Sequence, residues 1–272
     1  MQRREFLKQA ILTSAIPLLA DSMPKISFIH VTDAHMDLHE PESLHSMELM
    51  VKTINSRYPH IDFVLFGGDN FNNNANGNKD ALVFKKILSK LKVPAYAVRG
   101  NKESSPKGDP EINLAQFEQL FFTKDMLTHT KNWAIEKKGY MILGLDSCIE
   151  HHNNGLYTKE TLDFAESMLR RGRPTIILNH HPYLNFWHST NKDNIHKYVL
   201  NNTHEAQRRL FGYKNLIMTL SGHIHIDDPI THIGHVRVAT TQAFKVSLGG
   251  DHYPMRLVEI EGGRITEKLI ST

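Results

Sequence analysis

The sequence predicts an α/β fold, and three observations point to it. Short β-branched or apolar runs recur along the chain (ISFIHVT, IDFVLFG, PAYAV, YMILGLD, TIILNH, LIMTLS), the signature of buried strands. Segments with helical spacing stand between them, such as Leu82, Ile87, Leu88 and Leu91, or Leu162, Phe164, Met168 and Leu169. Near the end the pattern changes: PITHIGHVRVATT is followed by YPMRLVEIEGGRITEKLI, two alternating runs divided by Gly262 and Gly263 as a hairpin turn would divide them. The closing strands are therefore expected to be antiparallel, and a second sheet is expected beside the first.

Taken in order, the first element does not read as fold. Residues 1–24 carry an arginine pair, a short apolar run from Ala10 to Ala20, and small residues where a signal peptidase could cut. That run is shorter than the roughly 20 apolar residues a bilayer span needs. Arg3, Arg4, Glu5, Phe6, Leu7 and Lys8 resemble the twin-arginine export signal of bacteria, although Gln2 stands where that signal usually has Ser or Thr. The expectation is an exported, periplasmic protein, loaded with any metal before export and with no stable membrane span afterwards. An amphipathic first helix or an uncleaved anchor is the alternative. Residues 25–272 show no repeat, low-complexity tract or linker, and read as one domain.

Composition excludes several classes. With 40% hydrophobic and 22% charged residues, 272 residues can bury a full core. Lys and Arg are spread without blocks and the net charge is only +3, so nucleic-acid binding is not expected. One cysteine, Cys148, excludes an internal disulfide framework and a thiolate zinc cluster. Histidine is the outlier at 18 residues, and imidazole is both the commonest metal ligand and a frequent proton carrier.

In α/β sheets, ligands collect beyond the carboxyl ends of strands, where loops converge on a crevice. Nearly every apolar run here ends in groups that could ligate a metal. The first ends in Asp33, Ala34, His35; the second in Gly67, Gly68, Asp69, Asn70; the third in Gly100, Asn101; a later one in Asn179, His180, His181, Pro182; the next in Ser221, Gly222, His223, Ile224, His225. Any one of these occurs by chance. Five in order, each after a strand, supply carboxylate, imidazole and amide donors of the kind Zn, Mn and Fe accept.

The order and spacing of these motifs resemble the calcineurin-like metallophosphoesterases, and most closely the branch containing bacterial cyclic-nucleotide phosphodiesterases. Their pattern runs Asp-x-His, Gly-Asp, Gly-Asn-His-Asp/Glu, His, Gly-His-x-His, and the likeness covers nearly all of residues 25–272. The stretch GLDSC followed by GLYTKETLDFAESML also looks like that family's. The resemblance implies a four-layer αββα sandwich of two mixed β-sheets flanked by helices, and two divalent metal ions (Mn, Fe or Zn). By the same resemblance Asp33, His35 and His225 hold one ion, Asn101, His180 and His223 the other, and Asp69 bridges them. Of the adjacent pair His180 and His181, the family's His-x-Pro order selects His180.

The chemistry fits independently. Two divalent ions about 3.5–4 Å apart lower the pKa of a shared water and clamp the attacking and leaving oxygens of an in-line displacement at phosphorus. No Gly-x-Ser-x-Gly elbow or P-loop competes. The expected activity is hydrolysis of a small phosphomonoester or phosphodiester by a hydroxide bridging two metals, with Asn101, Lys102 and His180 in catalytic positions. A cyclic-nucleotide phosphodiesterase and a non-catalytic scaffold of the same fold are the alternatives. The seven ligand-type residues argue against the scaffold, and Lys102 is its main support.

Lys102 departs from the pattern, which usually has histidine there. A lysine ammonium titrates near 10.4, too high for an efficient general acid at neutral pH, but two nearby dications would depress it. Two readings stand: Lys102 stabilises charge on the phosphoryl group with weak acid assistance, or it points outward and pairs with Glu103 or another carboxylate. Lesser candidates are His151, His152 and His181 as cleft-rim residues, Asn70 as a phosphate contact or a turn residue, and Phe186 with Trp187 as an apolar wall or core. The missing tyrosine after Asp69 argues against the coloured ferric site of purple acid phosphatases.

Overall fold

A computed structural model of the chain describes residues 23–73, 79–106, 108–186, 188–225 and 230–272. The export signal expected in residues 1–24 lies outside them except for Met23 and Pro24, and Trp187 lies outside them as well.

Two mixed sheets stack face to face. The first contains β1 (Ile26–Val31), β2 (Phe63–Phe66), β3 (Ala95–Ala97), β11 (Pro254–Glu261) and β12 (Arg264–Ser271), in the order β12-β11-β1-β2-β3. β1, β2 and β3 run parallel, and the β11–β12 hairpin adds antiparallel to β1. The second contains β4 (Leu127–His129), β5 (Asn132–Lys137), β6 (Tyr140–Gly144), β7 (Thr175–Leu178), β8 (Leu216–Ser221), β9 (Thr231–Ile233) and β10 (Val236–Thr240), in the order β4-β5-β6-β7-β8-β10-β9. Its middle, β6, β7, β8 and β10, is parallel, and both margins are antiparallel.

Strand alternation makes three apolar layers from these two sheets. Ile26 and Phe28 of β1 meet Phe63, Leu65 and Tyr96 from their own sheet and Trp133, Ile142, Ile176 and Met218 from the other. Ile29 and Val31 face the opposite way, onto α1 (Pro41–Arg57), α2 (Asp80–Leu88) and α3 (Leu114–Phe121). Across the molecule, Leu143 and Ile177 pack on α4 (Lys159–Leu169) and α6 (Thr203–Leu210). The result is the αββα sandwich expected. Trp133 is fully buried between the sheets and its Nε1–H donates to the Ala97 carbonyl at 2.8 Å, joining them.

Two local readings differ from expectation. Leu82 is 50% exposed, and α2 instead buries Ala81, Phe84, Ile87 and Leu88. The β4–β5 hairpin carries no alternating signal, because all of β4 is exposed while Asn132, Trp133, Ala134 and Ile135 are buried on both faces of β5. The remaining helix, α5 (Lys192–Tyr198), buries none of its residues. Among the described residues no helix is long and apolar enough to cross a membrane.

Candidate metal centre

β1, β2, β3, β7 and β8 each end at one of the five motifs, and all five meet at one edge of the sandwich. The backbone there is held in an unusual state. Asp33 (φ 54°), His35 (45°), Asp69 (50°), His223 (69°) and His225 (58°) are all left-handed non-glycine residues. Each such residue costs roughly 1 kcal/mol or more, and the strain persists because the surrounding structure imposes it. The alternation of left-handed residues around Ala34 and Ile224 turns both side chains of Asp-x-His, and both of His-x-His, into the same crevice. The loops touch closely: a Cβ on Gly100 would lie 2.2 Å from the Asp69 nitrogen, and one on Gly222 would lie 2.3 Å from Asp33 Oδ2.

Two groups of donors result, Asp33, His35 and His225 in one and Asp69, His180 and His223 in the other. His225 Nε2 is 3.3 Å and His35 Nε2 3.7 Å from Asp33 Oδ1, and the two imidazole nitrogens are 3.1 Å apart. In the second group His180 Nε2 is 3.1 Å from His223 Nδ1, 3.2 Å from Asn101 Oδ1 and 3.4 Å from Asp69 Oδ1. Asp69 joins the groups, because its other oxygen, Oδ2, is 3.5 Å from His35 Nε2. Ligand atoms about 2.1 Å from one ion in tetrahedral or octahedral geometry stand roughly 3.0–3.4 Å from each other; all but the two distances from His35 to Asp33 and Asp69 fall in that range, and those two, at 3.7 and 3.5 Å, exceed it by about 0.3 Å or less.

The hydrogen bonds around the donors decide which atoms face inward. His180 Nδ1 is 2.9 Å from the Gly67 carbonyl and His223 Nε2 is 2.8 Å from that of Lys197, so each ring gives its N–H to the backbone. The nitrogens left over carry lone pairs and face each other, an arrangement that calls for a cation between them. Asn101 donates Nδ2–H to Asn153 Oδ1 at 3.1 Å, which turns its own Oδ1 inward. Asp33 Oδ2 accepts from Thr32 Oγ1 and the His223 N–H at 2.8 and 2.9 Å, whereas the buried Oδ1 has no hydrogen-bond partner. The residues present therefore fit a pair of divalent ions.

The electrostatics agree. Burial pushes the Asp33 and Asp69 carboxyls up, but the imidazoles beside them prevail and hold both below the usual carboxylate range. Burial opposes protonation of His180, and the Asp69 and Asp33 carboxylates overcome it, raising the ring to about 9. Burial and the neighbouring His180 lower His223 to about 4.

Glu103 has a role that sequence reasoning missed. It does not pair with Lys102. Its side chain is 3% exposed, and four backbone N–H groups donate to it: Gly100 (2.6 Å) and Asp69 (3.0 Å) to Oε2, Asn70 (2.7 Å) and Phe71 (3.2 Å) to Oε1. One carboxylate thus ties the Gly-Asp loop after β2 to the Gly-Asn loop after β3. Burial and Asp69 push it up to about 7, against the pull of those N–H donors. A second support lies under Asn101, where the buried Arg99 Nε donates to Asp146 Oδ2 at 2.7 Å.

The donors open onto a cleft of about 500 Å³ lined also by Lys102, Asn153, Lys197, Tyr198 and Lys245. Lys102 is half-buried at its rim, its backbone N–H donating to Asp69 Oδ1 at 2.7 Å. His181 does not reach the cleft. It is fully buried behind it, between Ser147 Oγ (2.7 Å) and the Asn153 carbonyl (3.0 Å), where burial holds it neutral. Asn70 is also buried and donates to the Val98 carbonyl, so its role is in the loop. His151 and His152 are exposed and do not line the cleft, and Phe186 packs on the α4–α6 core. Asn153, Lys197, Tyr198 and Lys245 were not singled out from sequence, because none stands at the end of a strand.

The sequence profile described as calcineurin-like phosphoesterase matches residues 26–227. A probable cyclic nucleotide phosphodiesterase of Psychrobacter arcticus is 21% identical over 222 residues, covering 77% of each chain. A probable glycerophosphodiester phosphodiesterase, GpdQ, of Arcobacter nitrofigilis is 26% identical over 178 residues, covering 63% of this chain and 59% of that one. Among solved structures, a dimetal phosphatase from Danio rerio superposes with a TM-score of 0.66 at 12% identity, over 90% of this chain and 98% of that one, a likeness of fold.

Proposed function

The chain belongs to the calcineurin-like phosphoesterase family, and on that premise we propose that it is a dinuclear metal-dependent hydrolase of small phosphomonoesters or phosphodiesters. The observation that carries this reading is Asp69, whose two oxygens stand 3.4 Å from His180 and 3.5 Å from His35 and so link two donor groups. Asp33, His35 and His225 would hold one ion and Asn101, His180 and His223 the other, with Asp69 shared. When bound, such a pair supplies a water of lowered pKa and a positive clamp on the phosphoryl oxygens. Mn, Fe and Zn all suit this mixture of imidazole, carboxylate and amide donors.

The protein's own groups then divide the remaining work. The Gly67 and Lys197 carbonyls hold the rings of His180 and His223 so that their inner nitrogens are aimed at the crevice. Asn153 keeps the Asn101 oxygen inward. Lys102 stands at the cleft beside Asn101, where its ammonium can neutralise charge on a phosphoryl oxygen. The phosphodiester side of the reading draws on the two relatives, both named as phosphodiesterases. A twin-arginine-like signal at Arg3 and Arg4 supports export to the periplasm, testable by fractionating cells that express the full chain and an Arg3→Lys, Arg4→Lys variant.

Incubating purified protein with Mn or Zn and p-nitrophenyl phosphate, its bis ester and cyclic AMP tests the main reading. Turnover of at least one, abolished by chelator and restored by metal, is expected. No turnover of any ester by protein with both ions bound would favour a non-catalytic scaffold.

A further inference from the structure

Three lysines, Lys102, Lys197 and Lys245, line the cleft over the metal donors, and among the described residues the one carboxylate lining it is Asp69. None of the three ammonium groups pairs with a carboxylate among the described residues, whereas Lys25, Lys90, Lys137 and Lys138 elsewhere each do. Lys197 lies instead over the Tyr198 ring, 4.9 Å from its centroid. Its position is tied to the donors: the Lys197 carbonyl accepts the His223 Nε2–H at 2.8 Å, so its side chain starts one hydrogen bond away from a candidate ligand. Lys245 also lines a smaller cavity of about 230 Å³ that carries Glu40 and Glu42.

The charge balance gives these lysines a use. Two divalent ions with Asp33 and Asp69 leave about two positive charges, to which Lys102 adds a third; a phosphomonoester dianion with a deprotonated water cancels all three, and a phosphodiester with the same water cancels two. With Lys102 serving the scissile group, Lys197 and Lys245 remain unmatched. Among the described residues Lys245 has acidic neighbours, Glu40 and Glu42, across its cavity, whereas the one carboxylate lining the cleft with Lys197 is Asp69, already counted with the ions. We propose that the preferred substrate is a phosphoester whose organic part carries a second anionic group, a carboxylate or another phosphate, and that Lys197 is the residue that selects it. This inference rests on the phosphoesterase reading of the same site.

The test holds the reacting centre constant and varies the distant charge. Phenyl phosphate and para-carboxyphenyl phosphate are compared with the metal-loaded enzyme, reading the ratio of their kcat/KM values. In parallel, calorimetry measures binding of phenylphosphonate and para-carboxyphenylphosphonate, which cannot be hydrolysed. One ammonium in a partly exposed cleft gives about a fivefold preference for the carboxylated compound in both ratios, shrinking between about 20 mM and about 500 mM salt. Lys197→Ala should bring both ratios near one, and Lys197→Arg should keep them. Ratios at or below one in the unmodified protein, or unchanged by Lys197→Ala, overturn the inference, as does failure of both phosphonates to bind. Equal hydrolysis of both esters leaves the phosphoesterase reading standing and this one refuted. Binding preference without turnover of either ester keeps the anion recognition assigned to Lys197 and counts against monoester hydrolysis, the phosphodiester arm being read by the bis ester and cyclic AMP.

Discussion

Replacing Glu103 with glutamine tests whether this buried carboxylate holds the centre together. The change keeps size and shape but turns one oxygen into an N–H donor. Whichever oxygen is lost, two of the four backbone donors are left facing it: Gly100 and Asp69 at 2.6 and 3.0 Å, or Asn70 and Phe71 at 2.7 and 3.2 Å. An unsatisfied buried N–H costs roughly 1–3 kcal/mol, so Glu103→Gln should destabilise the metal-free protein by about 2–6 kcal/mol. At this chain length each kcal/mol lowers Tm by roughly 2–4 °C. Relaxation of the two loops would also move Asp69 and Asn101, and loss of a supporting partner of this kind weakens metal binding roughly 10–100-fold. Calorimetric unfolding of chelator-treated protein reads the first effect and a Mn or Zn titration the second. A variant that melts within about one degree of the original and binds metal within threefold would refute the role assigned to Glu103.

Further predictions address the neighbouring groups. Lys102→Ala should slow hydrolysis roughly 10–100-fold and most for poor leaving groups; a series of aryl phosphates showing the same rates and the same leaving-group slope would remove Lys102 from the mechanism. Gly100→Ala should abolish metal retention while leaving the far-ultraviolet circular dichroism intact, because its Cβ would lie 2.3 Å from Asp69 Oδ1, and metal analysis finding two ions per chain would contradict this. His30 is fully buried between the sheets, where burial and Arg256 lower it to about 3 from the ordinary 6.5. Its folded pKa is depressed, so the unfolded chain takes the proton first, and the associated stability is complete above 6.5 and lost as pH falls toward 3. His30→Asn should flatten the dependence of unfolding free energy on pH, between about pH 4 and 6, by about 1.4 kcal/mol per unit. An equal slope in denaturant titrations of both proteins would show that His30 is not responsible.

The candidate ligands were legible because each stands directly after an apolar run, where chain direction alone forces it to a sheet edge. Asp33, Asp69, Asn101, His180 and His223 are placed by that rule, together with His35 and His225, each two residues further on. The residues that support them were not legible. Glu103 is one more acidic residue in a polar loop until two strands lie parallel and present four N–H groups to it. His181 is indistinguishable from its neighbour by composition, yet one ring faces the crevice and the other is turned behind it against Ser147 and Asn153.

What the amino-acid order determined by itself was the period of most elements and the identity of the candidate donors, since strand alternation and loop position are local properties of the chain. What only the tertiary structure decided was which lone pairs point inward. The Gly67 carbonyl meets His180 only once the two sheets have stacked, and that of Lys197 meets His223 only once α5 lies against the loop after β8, because a hydrogen bond exists only where donor and acceptor meet.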